Sequence, residues 1–209
     1  MGVINKLASS LNRRDEIPNQ ELAKEILNSK DKKAIQELVE NLSNKDKNIA
    51  SDCIKVLYEV GEHDPTLLDS YAENFLTLLN SKNNRLAWGA MTALDCIATT
   101  KPKDVFDHIY QIIKIADEGS VITRDHAVSI LIKLSKDATI APKIFLLLFD
   151  QLRKSPSNQL PMYAENSYRI IPNSLRKEFV EILKNRLPDM EKESKKKRVE
   201  KVIKRILEN

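Results

Sequence analysis

Apolar residues recur along this chain at a constant step of 37 residues, and that register dictates a repeat architecture before anything else is considered. Cys53, Ala90, Ala127 and Ala164 form one column. Leu57, Leu94, Leu131 and Tyr168 form a second, and Val60, Ile97, Leu134 and Ile171 a third. The offsets between columns are i, i+4 and i+7, which place all three on one face of an α-helix. The intervening segments keep the same step: Leu38, Phe75, Ile112 and Phe149 align, as do Ile35, Ala72, Ile109 and Leu146. A looser copy sets Val202 and Ile206 one residue late. Each repeat is therefore two amphipathic helices, an outer one and an inner one.

Punctuation agrees with the pairing. Pro65, Pro102 and Pro142 stand where outer helices begin, positions at which a missing N–H is harmless. Asp64 is placed to cap the helix after it, and Gly61 and Gly119 fall where helices are expected to stop. Only four glycines and 5% aromatic residues leave little to build the turns and faces of a large sheet. Residues 19–29 read as one more capping helix, and Val3, Ile4, Leu7 and Leu11 as the apolar side of a short amphipathic helix before it.

The segment NNRLAWGAMTALDCIATTKP (83–102), with small residues at Ala87 and Ala90, the Ala93-Leu94 pair and Pro102 opening the next helix, resembles a HEAT repeat. The resemblance covers residues 31–208 and implies an all-α, right-handed α–α superhelix of HEAT/armadillo type. About five helix pairs plus an N-terminal helix are expected, in one solenoid over residues 1–209. Within it, 1–30 would form the N-terminal cap, 31–190 the repeats and 191–209 a basic C-terminal capping helix. Pro161, Glu165 and Ser167 depart from the pattern near the end of the array, where terminal repeats must meet water. The linkers read as too short for the third helix of an armadillo repeat.

In HEAT arrays the inner helices line a concave groove, so the resemblance points to their non-core positions as the binding surface. Carried along the register, these are Tyr58, Trp88, Thr92, Asp95, Asp125, His126, Met162 and Tyr163. Trp88 is the sole tryptophan and is expected to face the groove, either as an apolar platform for a partner or packed across the next inner helix. Gly89 beside it leaves room for a close approach. Aromatic residues and Met are enriched at protein interfaces, so the function expected is non-catalytic: a scaffold that holds a protein partner in its groove.

Other chemistries find less support. Phosphate-binding loops, nucleophile elbows and dinucleotide fingerprints are missing from the sequence, so no cofactor and no small-molecule substrate is expected. His63, His108 and His126 have no partners at ligand spacing, so no metal is expected either. No apolar run approaches the roughly 20 residues of a membrane span, and the first sixteen residues do not read as a secretory leader. With two cysteines, in different repeats, a cytoplasmic location and no membrane partner are expected.

The net charge of +4 is concentrated at one end: residues 191–205 hold eight Lys or Arg against three Glu. That run is the solvated face of a capping helix or a contact for an anionic partner. Lys195, Lys196, Lys197 and Arg198 are the candidate nucleic-acid contacts there. The helix pairing and groove tryptophan also resemble, more weakly, the HEAT-like alkylpurine DNA glycosylases. That resemblance would put Trp88, Arg124 and Tyr163 (or Met162) around a nucleotide, and makes a DNA-binding or DNA-repair protein the alternative function. The departure is that Thr92 stands one turn after Trp88, while Asp95 lies nearly two turns away.

Overall fold

The computed structural model describes residues 2–208, which contain twelve α-helices and no strand. The chain divides into two compact units, Met1–Ala127 and Val128–Asn209. The first holds α1 (Ile17–Ser29), α2 (Lys32–Glu40), α3 (Lys47–His63), α4 (Ala72–Leu78), α5 (Asn84–Ile97), α6 (Pro102–Asp107) and α7 (Ile109–Glu118). The division falls inside α8 (Val121–Leu134). The second unit holds α9 (Ala141–Lys154), α10 (Leu160–Ser167), α11 (Arg176–Arg186) and α12 (Glu193–Leu207).

The 37-residue register is the core. Cys53, Ala90, Ala127 and Ala164 are all fully buried, as are Leu57, Leu94 and Leu131, and Leu38, Phe75, Ile112 and Phe149. Two column members depart from it. Leu146 is 67% exposed, because α9 presents Ile144, Phe145, Leu148 and Phe149 inward and Leu146 falls on its far side. Tyr168 is only half-buried, because α10 ends at Ser167, whose hydroxyl donates back to the Tyr163 carbonyl at 2.7 Å. The chain then turns through a 3-10 segment, Tyr168–Ile170, that carries the ring out of the column.

The outer helices of the first unit are broken, contrary to the reading of the linkers as too short for a third helix. A 3-10 helix, Pro65–Tyr71, precedes α4, and α6 is separated from α7 at His108. The breaks are in register. Tyr71 (φ −117°, ψ 15°) and His108 (φ −108°, ψ 14°) share one non-helical conformation, 37 residues apart. The repeat therefore includes the kink, as an armadillo-type repeat does.

Two of the expected signals work differently. Asp64 does not cap: its carboxylate accepts from the Thr66 hydroxyl at 2.6 Å, and no side-chain bond to a helix N–H is made. The working caps are Asp31, Asp46 and Asn83, which accept from the backbone N–H two residues on at 2.9, 2.8 and 3.1 Å. Gly61 does not end α3, which continues to His63. Instead, a Cβ there would lie 2.7 Å from Leu68 Cδ1, so the missing side chain lets residues 65–71 pack against α3. Gly119 does follow the last residue of α7.

The N-terminal segment is pinned rather than helical throughout. Val3–Lys6 is a 3-10 helix whose Val3 and Ile4 N–H groups donate to the Glu37 carboxylate, and Lys6 pairs with Glu25. Leu7 is buried while Leu11 is 49% exposed, so the expected apolar side does not extend to Leu11. Further on, the Ala8 and Ser9 N–H groups donate to Asn19 Oδ1 at 3.0 Å and Asp52 Oδ2 at 2.8 Å.

In the second unit, α9 packs on α11 through Phe149 and Phe179, ring centroids 6.1 Å apart, with Phe145 6.5 Å from Phe149. Arg186 donates to the carbonyls of Leu152, Arg153 and Ser155 at 2.6–2.8 Å, satisfying acceptors that the end of α9 leaves open. The inner pair of this unit is α10 against α12, where Val199, Val202, Ile203 and Ile206 are buried.

Candidate functional site

The first unit contains an open groove of about 1140 Å3. One wall is the polar face of α3, with Ser51, Asp52, Lys55, Tyr58, Glu59 and Glu62. The other is α5, with Arg85, Trp88, Gly89 and Thr92, together with Ile122 and His126 from α8. The segment Ala8–Glu16 closes one end, held there by the Ser9–Asp52 bond and by Glu16, which pairs with Lys55 at 3.1 Å. Sequence reasoning assigned that segment to a cap and so missed its contribution. The acidic pair Asp15-Glu16 opposite Lys55 was the available signal, and it is visible only once α3 is placed beside it.

Helix pairing explains how the walls come together. Gly89 sits where α5 crosses α3, and a Cβ on it would lie 2.5 Å from Ile54 Cγ1 and 2.9 Å from Ile54 Cγ2. The glycine thus serves close approach of two inner helices. Its neighbour Trp88 is half-buried in the groove lining, as is Tyr58 on α3.

A hydrogen-bonded chain links α5 to α8 at the groove floor. His126 Nδ1 lies 2.9 Å from Asp95 Oδ2, and its Nε2 lies 3.1 Å from Thr92 Oγ1. Thr92 Oγ1 is also 3.0 Å from the Trp88 carbonyl, to which it donates. Asp95 and Thr92 are both buried, so this chain satisfies polar groups that would be costly to leave unpaired. Its order matches that of a hydrolase triad, yet Thr92 lies mid-helix, where the backbone N–H groups that could stabilise an oxyanion are engaged in the helix ladder. Its role is to fix the imidazole and to join consecutive inner helices.

The groove lining carries six carboxylates (Asp15, Glu16, Asp46, Asp52, Glu59, Glu62) against four cations (Arg13, Arg14, Lys55, Arg85). Two of the cations are matched internally: Arg13 by Asp15 at 2.9 Å, and Lys55 by Glu16 and Glu59. The Lys55 ammonium also sits 4.8 Å from the centre of the Tyr58 ring. Burial works against its charge, but hydrogen bonds to Glu59, Tyr58 and Glu16 hold it above the usual lysine range. Burial likewise raises the Tyr58 phenol, against the pull of Lys55. Cys53, beneath the wall, is pushed up to about 12, first by burial and then by Asp52 and Glu37, which leaves it a core thiol.

The structure brings Tyr58, Trp88, Thr92 and His126 to this groove. Asp95 stands behind them, bonded to His126, and Asp125 is half-buried. Tyr163 is a correction. It is among the largest fully buried side chains, facing the core of the second unit rather than a groove, because α10 is short and turns its whole apolar face inward. Met162 beside it is half-buried. The aromatic cradle implied by the glycosylase resemblance therefore loses Tyr163, and Arg124 turns back to donate to the Asp117 carbonyl at 3.2 Å. In the basic run, Arg198 pairs with Glu165 at 2.5 Å and Lys195 donates to Asn158, while Lys197 is exposed. Among the described residues no three His, Cys, Asp or Glu side chains gather as a metal site, and no helix is long and apolar enough to cross a membrane.

Comparison with known proteins decides the family. The family model described as sister chromatid cohesion protein PDS5 matches residues 22–164. This chain belongs to that family. No curated protein matches the sequence closely enough to be informative. Among solved structures, two engineered proteins share 18% identity with this PDS5-family chain; both span all of it, with TM-scores of 0.63 and 0.62 over 98% and 100% of their own lengths. A designed armadillo repeat protein in complex with the peptide (KR)4 shares 13% identity and a TM-score of 0.65, over 88% of this chain and 85% of its own. The fold is thus a HEAT/armadillo-type helical repeat.

Proposed function

We propose that this PDS5-family chain is a non-catalytic scaffold that binds a segment of a partner protein in the groove of its first unit. The observation that carries the reading is the placement of Trp88 and Tyr58, both half-buried and lining one open groove. Aromatic side chains so placed offer large, stiff, amphipathic contact area, the usual anchor of protein recognition. Ile122, 42% exposed, continues the apolar strip. The surplus of carboxylates around it favours a partner segment with basic residues flanking an apolar or aromatic one. Family membership is consistent with this: the family description names a cohesion protein.

The test is an anisotropy titration of a labelled octapeptide of Lys and Arg around a central Phe, with wild type and with Trp88→Ala. Saturable binding that weakens about tenfold or more in the variant is expected, since a central aromatic anchor is worth about 2 kcal/mol or more. The melting temperature should change little. A Trp88→Ala protein that binds as wild type does but melts far lower would assign Trp88 to packing and sink the proposal.

A further inference from the structure

The groove of the first unit is partly filled by the chain itself, through a piece built so that it can move. Residues 8–12 form a hydrogen-bonded turn that Asn12 stops in the left-handed region, at φ 54°. The Arg13 N–H donates to the Ala8 carbonyl at 2.8 Å and the Asn12 N–H to the Ser9 carbonyl at 3.2 Å, the paired bonds with which a left-handed residue ends a helical turn. Residues 13–16 leave that turn and line the groove before α1 starts at Ile17. All four are exposed.

This stretch is fixed at its ends and loose between them. Upstream, the Ala8 and Ser9 N–H groups are tied to Asn19, which is buried, and to Asp52, which is half-buried. From residues 13–16, the one ion pair or hydrogen bond to a groove wall among the described residues joins Glu16 to Lys55 at 3.1 Å. The Glu16 side chain is 63% exposed there, and Lys55 keeps a second carboxylate, Glu59 at 2.6 Å, whether or not Glu16 stays. The cations of the stretch do not grip the groove either. Arg13 is answered by Asp15 within the stretch, and Arg14 has no ion-pair partner among the described residues.

We propose that residues 13–16 are a strap, latched by Glu16 on Lys55, that partly shuts the groove and must swing aside for a basic partner segment to bind. The device presupposes the partner reading of this groove and adds its regulation. The strap supplies Arg13 and Arg14, two of the four cations of the lining, and Asp15 and Glu16, two of its six carboxylates. Lifting it leaves four carboxylates against two cations, so the acidic surplus is kept while two guanidinium groups leave the path of a cationic segment. Asn12 and the start of α1 are the two points about which the strap can turn. An exposed ion pair holds weakly, so the latch can yield to a ligand. The apparent affinity of a ligand that needs the open form is reduced by the fraction of molecules that are open.

The experiment compares the full chain with Glu16→Gln, which cuts the latch, and with Glu59→Gln, which takes the same charge from the same lysine without touching the strap. Each is titrated by anisotropy with the labelled octapeptide of Lys and Arg around a central Phe. By charge alone, both variants lose a groove carboxylate and should bind a cationic peptide more weakly. The strap gives the two opposite signs: Glu16→Gln tightens binding by about two- to fivefold, the range one exposed ion pair allows, while Glu59→Gln weakens it. A second readout needs no ligand. Brief trypsin digestion with mass measurement follows cleavage after Arg13 and Arg14, which tracks the open fraction. It should run at least about twofold faster in Lys55→Gln, which breaks the latch from the wall and leaves the cleaved sequence unchanged. Glu16→Gln binding no tighter than wild type, or Lys55→Gln cut no faster, overturns the strap. Peptide binding by none of the proteins overturns the groove reading and the exclusion with it, and the cleavage rates then still show whether the latch opens, so the two failures are told apart.

Discussion

Gly89→Ala separates two opposing effects whose sizes can be worked out from the structure. In an exposed helix this change is favourable by about 1 kcal/mol, because alanine restricts the unfolded chain and suits the helix. Here the new Cβ would arrive 2.5 Å from Ile54 Cγ1 and 2.9 Å from Ile54 Cγ2. Neither atom is the far end of a flexible chain: Ile54 is β-branched, buried and held in a narrow rotamer range on α3. The two helices must separate instead, and overpacking of this kind costs about 1–3 kcal/mol. The net expectation is a loss of up to about 2 kcal/mol in urea denaturation followed by far-UV circular dichroism. Ile54→Ala alone should cost about 2–5 kcal/mol. In that background, however, the γ-carbons are gone and Gly89→Ala should become stabilising, a coupling of about 1–3 kcal/mol across the cycle. If Gly89→Ala stabilises the otherwise wild-type protein by the propensity value, α3 and α5 do not approach this closely and the account of the groove wall is wrong.

Gly61→Ala offers the contrasting case, since the nearest atom is a terminal methyl of Leu68 at 2.7 Å that can turn aside. It should stay within about 1 kcal/mol of wild type by the same assay; a larger loss would show that Cys96, whose Cβ lies 3.1 Å from the added atom, is the real obstacle. Cys53 predicts an alkaline limit to stability. Its thiol is held up to about 12 in the fold against 9.0 for the reference thiol, so the folded state retains a proton that the unfolded chain releases. Stability is thus complete below pH 9 and falls as the pH rises toward 12, by up to about 1.4 kcal/mol per pH unit. Urea midpoints from pH 8 to 10.5 should fall less steeply in Cys53→Ala, and equal slopes would show that the thiol has no part in it.

The repeat was legible in the sequence because burial in a helical array imposes a period that few other constraints disturb. Cys53, Ala90, Ala127 and Ala164 could be aligned by eye and are all buried. The exceptions have local causes: Leu146 shares its turn with Phe145, which takes the core position, and Tyr168 follows the helix end at Ser167. Tyr163 was misplaced for the opposite reason, as an aromatic residue next to a groove position that a short helix draws wholly into the core. Pairwise chemistry between repeats was not legible. Asp95 and His126 are 31 residues apart and Thr92 and His126 are 34 apart, so no local spacing marks the chain they form. The kinks at Tyr71 and His108 carry no proline or glycine of their own and show only in the backbone angles. Charge was visible as a count, whereas the pairing of Arg198 with Glu165 depends on which face of α12 turns to α10.

The indole resonance of Trp88 gives the most direct test of groove binding, because a chain with one tryptophan shows one such peak in a proton–nitrogen correlation spectrum. During titration with the octapeptide of Lys and Arg around a central Phe, that peak should move saturably and in step with backbone peaks of Tyr58 and His126. Binding seen by anisotropy while the Trp88 indole stays still would place the partner elsewhere on the molecule and contradict the account.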